Sequence, residues 1–203
     1  WRHAFMGMSD PVAAYDRFQD IYLRYEFSAR PTPREVSDSS FAILEHVLGD
    51  SGAHDILGNR QLQSYIVTAR GRGLAGSRGG LPLVLGLGAG AIGNALHRSL
   101  LASSFQRVIF ASEQAPRLYL KGFKTEQAVV TELSLMPVLH ASGSIPFIFS
   151  GERNLPGAPE GHYWDGGIID YHFRLAELQR VTGEGLTLYP HFRSDLTPGW
   201  FDK

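Results

Sequence analysis

The sequence predicts an α/β layered domain, and two observations carry that prediction. Short β-rich runs at residues 65–68, 107–111, 145–149 and 186–189 alternate with longer segments of helical spacing. No internal repeat or low-complexity linker divides the chain, so residues 1–203 read as one domain, long enough to bury a sizeable core.

The elements follow in order. Asp10-Pro11 starts a helix, an acceptor side chain followed by a proline that needs no donor, and Val12, Tyr15, Phe18, Tyr22 and Tyr25 recur at helical spacing as its expected buried face. Thr32-Pro33-Arg34-Glu35 has the form of a capping box and opens a second helix, with Val36, Ile43 and Val47 inward and Gly49 at its end. Residues 65–68 form a strand, and the Gly- and Arg-rich stretch 70–80 reads as a loop. Residues 81–104 are expected to be helical for much of their length, followed by a strand at 107–111. A short helix at 135–141 leads into a Ser-Gly-Ser turn. Strands then follow at 145–149 and 186–189.

Composition narrows the function. Nineteen Lys+Arg against 20 Asp+Glu give a formal charge of -1, without the overall basic excess of a nucleic-acid binder. Arg70, Arg72 and Arg78 form the most obvious local basic cluster. Cysteine is absent, which excludes disulfides, zinc thiolates and a Cys nucleophile and agrees with a reducing compartment. No run reaches the roughly 18 apolar residues of a membrane span. The expected setting is the cytoplasm or a membrane periphery.

The densest chemical signal lies in Ala141-Ser-Gly-Ser-Ile-Pro-Phe147 followed by Tyr163-Trp-Asp-Gly-Gly-Ile-Ile-Asp-Tyr171. Gly166 and Gly167 permit φ > 0 and a close backbone approach, which would aim the Asp165 carboxylate out of a tight turn. Downstream come Tyr189-Pro-His-Phe192 and Thr197-Pro-Gly-Trp-Phe-Asp-Lys203. This ordered set resembles a bacterial branch of the patatin-like lipid acyl hydrolases, strongly over 133–203 and more loosely over 1–132.

The resemblance implies a three-layer α/β/α domain that hydrolyses lipid acyl esters through a Ser-Asp dyad, with no cofactor and no metal. It implies further that Asp165 is the catalytic base in a turn shaped by Gly166 and Gly167. The nucleophilic Ser of such a site sits in a Gly-x-Ser-x-Gly elbow, and no such elbow occurs in the chain. Trp1 to Met8 is similar to the helix that follows the elbow. The expectation is therefore an N-terminally truncated domain, its oxyanion loop and nucleophile upstream of residue 1, and inactive by itself. Expected partners are a lipid or acyl-ester substrate and peripheral membrane contact, with no nucleic acid and no transmembrane segment.

Other constellations compete. Gly88-Ala-Gly90-Ala-Ile-Gly93 fits a dinucleotide fingerprint, with 81–87 as its strand, 94–104 as its helix and Glu113 near the ribose position. That makes an NAD(P)-binding oxidoreductase the alternative, although Pro82, a Leu-rich run and the regular small residues also suit packed helices. Ser77, in Ala75-Gly-Ser-Arg-Gly79, lacks the preceding buried strand that an elbow needs. Ser51, with His54 and Asp55 nearby, reads as a helix-terminating loop. Ser142 and Ser144 read as turn residues bonded to local backbone.

His162, Asp165, Asp170, His172 and His191 could gather a divalent metal, but their spacing fits no fixed ligand motif, and hydrogen-bonded histidines explain them better. His140 has no functional reading of its own. Tyr189, Phe192, Trp200 and Phe201 suit a core or an acyl slot. A last alternative is a non-catalytic fragment that binds another polypeptide through an uncovered sheet edge.

Overall fold

The structure is a computed structural model that describes residues 2–171, other than 121 and 123. Its sheet is built around β1 (Tyr65–Gly71), whose Ile66, Val67 and Thr68 suit a pleated, buried surface. On one side β1 pairs antiparallel with β2 (Phe105–Ala111), from Tyr65↔Ala111 to Gly71↔Phe105. On the other it pairs antiparallel with β5 (His162–Asp165), placing Thr68 opposite Asp165. The edges are β3 (Thr125–Val129), parallel to β2, and β4 (Glu152–Arg153), antiparallel to β5. The order β3-β2-β1-β5-β4 makes a five-stranded mixed sheet. The fold is mixed α/β, in agreement with the alternation in the sequence.

Six α-helices accompany this sheet among the described residues: α1 (Arg2–Phe5), α2 (Pro11–Arg24), α3 (Pro33–Leu48), α4 (Gly52–Gly58), α5 (Gly80–Leu96) and α6 (Glu132–Ser142). The period-two alternation of the strands sorts the core into two faces. Ile66, Val108, Phe110 and Tyr163 join Leu44 and Val47 of α3 and Leu135 and Val138 of α6 in one cluster. Ala69, Phe105 and Trp164 join Leu83 of α5, together with Ile168 and Ile169, in the other. Each fully buried aliphatic side chain contributes about 1.5–3 kcal/mol relative to exposure.

Helix starts obey local chemistry. The Asp10 side chain accepts from the Ala13 N–H at 2.9 Å, with Pro11 at the first helical position. Of the expected face of α2, Phe18 and Tyr25 pack against the core, whereas Val12, Tyr15 and Tyr22 are exposed and Ala14 and Ile21 turn inward. The aromatic spacing misleads in part because the fully buried position belongs to a smaller residue, Ala14. Thr32 Oγ1 accepts from the Glu35 N–H at 3.2 Å, while the Glu35 carboxylate reaches back to Ser28 N and Oγ, giving half a capping box. Gly49 ends α3 at φ 54°, a conformation that favours glycine. The full capping box is at α6, between Thr131 and Ser134, which starts that helix ahead of the expected 135.

Two further expectations need correction. The stretch 70–80 is not one loop: β1 runs to Gly71, a 3-10 turn occupies Gly73–Gly76, and α5 begins at Gly80. Residues 145–149 are not a strand. Ile148 and Phe149 both donate to the Ile145 carbonyl, Phe147 sits at φ 69°, and Pro146 has no N–H to give a ladder. Strands β3, β4 and β5 lie where periodicity is too short to register, and β5 owes its place to pairing with β1. The expected strand at 186–189 lies outside the described residues.

Candidate functional site

Asp165 is the last residue of β5 and caps the 3-10 turn Gly166–Ile168. Its backbone N–H donates to the Ser144 carbonyl at 2.9 Å, joining the strand end to the Ser-Gly-Ser segment. Its Oδ1 accepts from the Gly167 N–H at 2.7 Å. The turn continues as Ile169 and Asp170 N–H both donate to the Gly166 carbonyl.

The glycines act differently from the expectation. Neither Gly166 nor Gly167 has positive φ. A Cβ at Gly166 would lie 2.4 Å from the Val67 carbonyl oxygen, and one at Gly167 would lie 3.1 Å from Asp165 Oδ1. Close approach of β1 excludes a side chain at the first position, and the carboxylate crowds the second.

The Asp165 side chain is partly buried, and burial pushes its pKa above the usual carboxylate range. The Gly167 hydrogen bond opposes that shift. Among the described residues the carboxylate takes part in no ion pair.

Asp170 differs. Its carboxylate receives Arg107 Nε at 2.5 Å and Arg107 Nη2 at 2.6 Å, a bidentate pair, with Arg98 Nη2 at 3.8 Å. Arg107 is almost fully buried and also donates to Thr125 Oγ1. The sequence pattern that linked Asp170 to a metal set gave no sign of these arginines, because they come from distant elements.

The segment beneath Asp165 is tied by its serines, as expected. Ser142 Oγ donates to the Leu139 carbonyl at 2.7 Å and Ser144 Oγ to the His140 carbonyl at 2.8 Å. His140 is buried in α6, its Nδ1 2.7 Å from Glu152 Oε1. This pairing also escaped the sequence reading, since a helix and an edge strand supply its two members. His162 stacks on Trp164 with ring centroids 4.2 Å apart, and its Nε2 lies 2.8 Å from the Ser150 carbonyl. Burial, first among the causes, lowers its pKa.

The remaining candidates do not converge on Asp165. Among the described residues no group of three His, Cys, Asp or Glu could hold a metal ion. His172, His191, Tyr189, Phe192, Trp200 and Phe201 lie outside them. Ser77 follows the 3-10 turn and donates its N–H to the Leu74 carbonyl. Asp55 bonds Ser9, while His54 pairs with Glu132. Of the basic cluster, Arg70 donates to Gln106 and the Glu160 carbonyl, and Arg72 to the Ala102 carbonyl.

The dinucleotide fingerprint loses its context. Residues 81–93 lie within one helix, α5, so the strand and phosphate-binding turn it requires are not formed. Gly86 and Gly90 pack instead against Ala75 and against Ser104 and Phe105, while a Cβ at Gly88 would meet nothing within 4 Å.

Compared with known proteins, the chain matches no family model, no curated protein and no solved structure.

Proposed function

We propose that this chain carries the base-bearing part of a patatin-like lipid acyl hydrolase with a three-layer α/β/α architecture. The carrying observation is Asp165: a carboxylate at a strand end, desolvated, held by one backbone donor and in no ion pair among the described residues. An acid in that state suits a general base better than a structural anion, because burial moves its pKa toward the working range of a proton acceptor.

The reaction requires a Ser hydroxyl on a nucleophile elbow, a motif these 203 residues do not contain. Asp165 accepts the hydroxyl proton as Oγ bonds to the ester carbonyl carbon. The tetrahedral intermediate collapses, the ester C–O bond breaks, and Asp165 returns the proton to the leaving alkoxide. Water then gives its proton to Asp165 and attacks the acyl-enzyme, releasing the acid and restoring the Ser.

The test is hydrolysis of a short p-nitrophenyl ester by the 203-residue chain and by a protein that includes the natural upstream segment. The short chain should be inactive, and the longer one active, inhibited by a serine-directed phosphonate and disabled by Asp165→Asn. An active longer protein indifferent to Asp165→Asn would refute the assignment.

A further inference from the structure

Helix α5 contains no charged residue along its 17 positions. Leu83, Gly86, Gly90 and Asn94 form its buried face. Leu81, Leu85, Ile92 and Leu96 recur every four or seven residues on the opposite pole, with exposures of 68%, 52%, 66% and 76%. Val84 widens the stripe, and Leu74 and Leu100 in the flanking 3-10 turns are exposed as well. A helix that is apolar all round belongs in a core or in lipid, yet among the described residues much of the surface of α5 is uncovered.

Charge indicates what covers it. From Ile56 to Ser112 the sequence has no Asp or Glu. Of its arginines, Arg98 and Arg107 pair with Asp170 and Arg70 bonds Gln106, while Arg72 and Arg78 are exposed just before α5. An apolar strip preceded by two exposed arginines, in a stretch of sequence without acids, matches the acyl-chain boundary and headgroups of an anionic bilayer. A symmetric pairing of two copies through this face would instead set arginines of one copy near those of the other with no acid from this stretch between them.

We propose that the outward face of α5 lies on an anionic lipid surface, with Leu81, Leu85, Ile92 and Leu96 inserted and Arg72 and Arg78 at the headgroups. The helix lies in the interface and does not span it: no described helix is long and apolar enough to cross a membrane. This extends the lipid-hydrolase reading to the surface where substrate would be met. Docking itself needs neither Asp165 nor a nucleophile. Ile168 and Ile169 share the α5-side cluster with Leu83, so the helix rests against the segment that leaves Asp165.

The experiment is co-sedimentation of the 203-residue chain with vesicles of phosphatidylcholine alone or with about one-third phosphatidylserine, at low and high salt. Binding to the anionic vesicles should weaken with salt. Leu85→Gln with Ile92→Gln should reduce it at least about tenfold, and Arg72→Gln or Arg78→Gln about fivefold each. Unchanged thermal melts would show that the variants fold, and Asp165→Asn should bind like the parent chain. That last arm separates failed docking from a failed catalytic assignment. No sedimentation with either vesicle would overturn the proposal. So would a concentration-dependent dimer dispersed by the paired Gln substitutions, which would give the face to a second copy.

Discussion

Asp165 and Asp170 leave the same short turn and meet opposite environments. Asp165 ends a strand on the face shared with Thr68, opposite it in register, and accepts one backbone N–H. Asp170 lies beyond the turn and is clasped by Arg107, which rises from the α5-side face of β2. A bidentate guanidinium engages both oxygens of one carboxylate. The other remains free to exchange a proton. The difference teaches that availability as a base is set by which side chains the fold brings against an acid, more than by the turn that presents it.

The largest test of this contrast is catalytic. In a protein that includes the natural upstream segment, Asp165→Asn should lower kcat by about 100- to 10,000-fold, with the melting temperature preserved. Asp170→Asn should do the reverse. It leaves Arg107 buried without its counter-charge, at a cost of about 3–5 kcal/mol, or about 6–20 °C in melting temperature for a chain of this size. Activity per folded molecule would survive. Loss of activity in Asp170→Asn without loss of stability would break the comparison, and kinetics beside calorimetry would reveal it.

A double replacement sharpens the point. Arg107→Met with Asp170→Leu removes both charges, so most of the stability lost in Asp170→Asn should return, because apolar pairs often equal buried ion pairs. A double variant as unstable as the single one would mean that Thr125 and Leu120, which also accept from Arg107, carry much of the stability.

The sequence made the α/β alternation, the starts of α2 and α3 and the Asp165 turn legible, because each rests on local chemistry: a cap, a proline, a glycine pair. What it hid was long-range. Arg107 and Asp170, or His140 and Glu152, are brought together by sheet pairing and helix packing that no spacing encodes. β5 is too short to show a period and is stabilised by β1 beside it. The inward face of α2 was partly misassigned because aromatic size outweighed the small, fully buried Ala14. The Gly166 requirement was visible as a glycine, but its cause, the Val67 carbonyl, was not.

Glycine substitutions probe the same divide at smaller amplitude. Gly166→Ala forces β1 and the turn apart and should cost about 1–3 kcal/mol, read as a lower denaturation midpoint. Gly88→Ala meets open space on a helix and should gain up to about 1 kcal/mol. A destabilised Gly88→Ala would return attention to that glycine's backbone as a contact site.

The smallest effect tests the electrostatics of Asp165 without any substrate. Its pKa is raised in the folded chain, so between the ordinary carboxylate value and the raised one the folded state holds more protons than the unfolded state. Stability from this group is therefore greatest at low pH and declines as pH rises through the folded pKa. Asp165→Asn keeps an oxygen for the Gly167 N–H and removes the charge. At neutral pH it should stabilise the fold by about 0.5–2 kcal/mol, as expected when an active-site group has been held at the expense of stability. Below the ordinary carboxylate pKa the two proteins should converge. Denaturation at paired pH values would detect this, and a variant less stable than the parent at neutral pH would mean that the Asp165 carboxylate is a structural anion like Asp170.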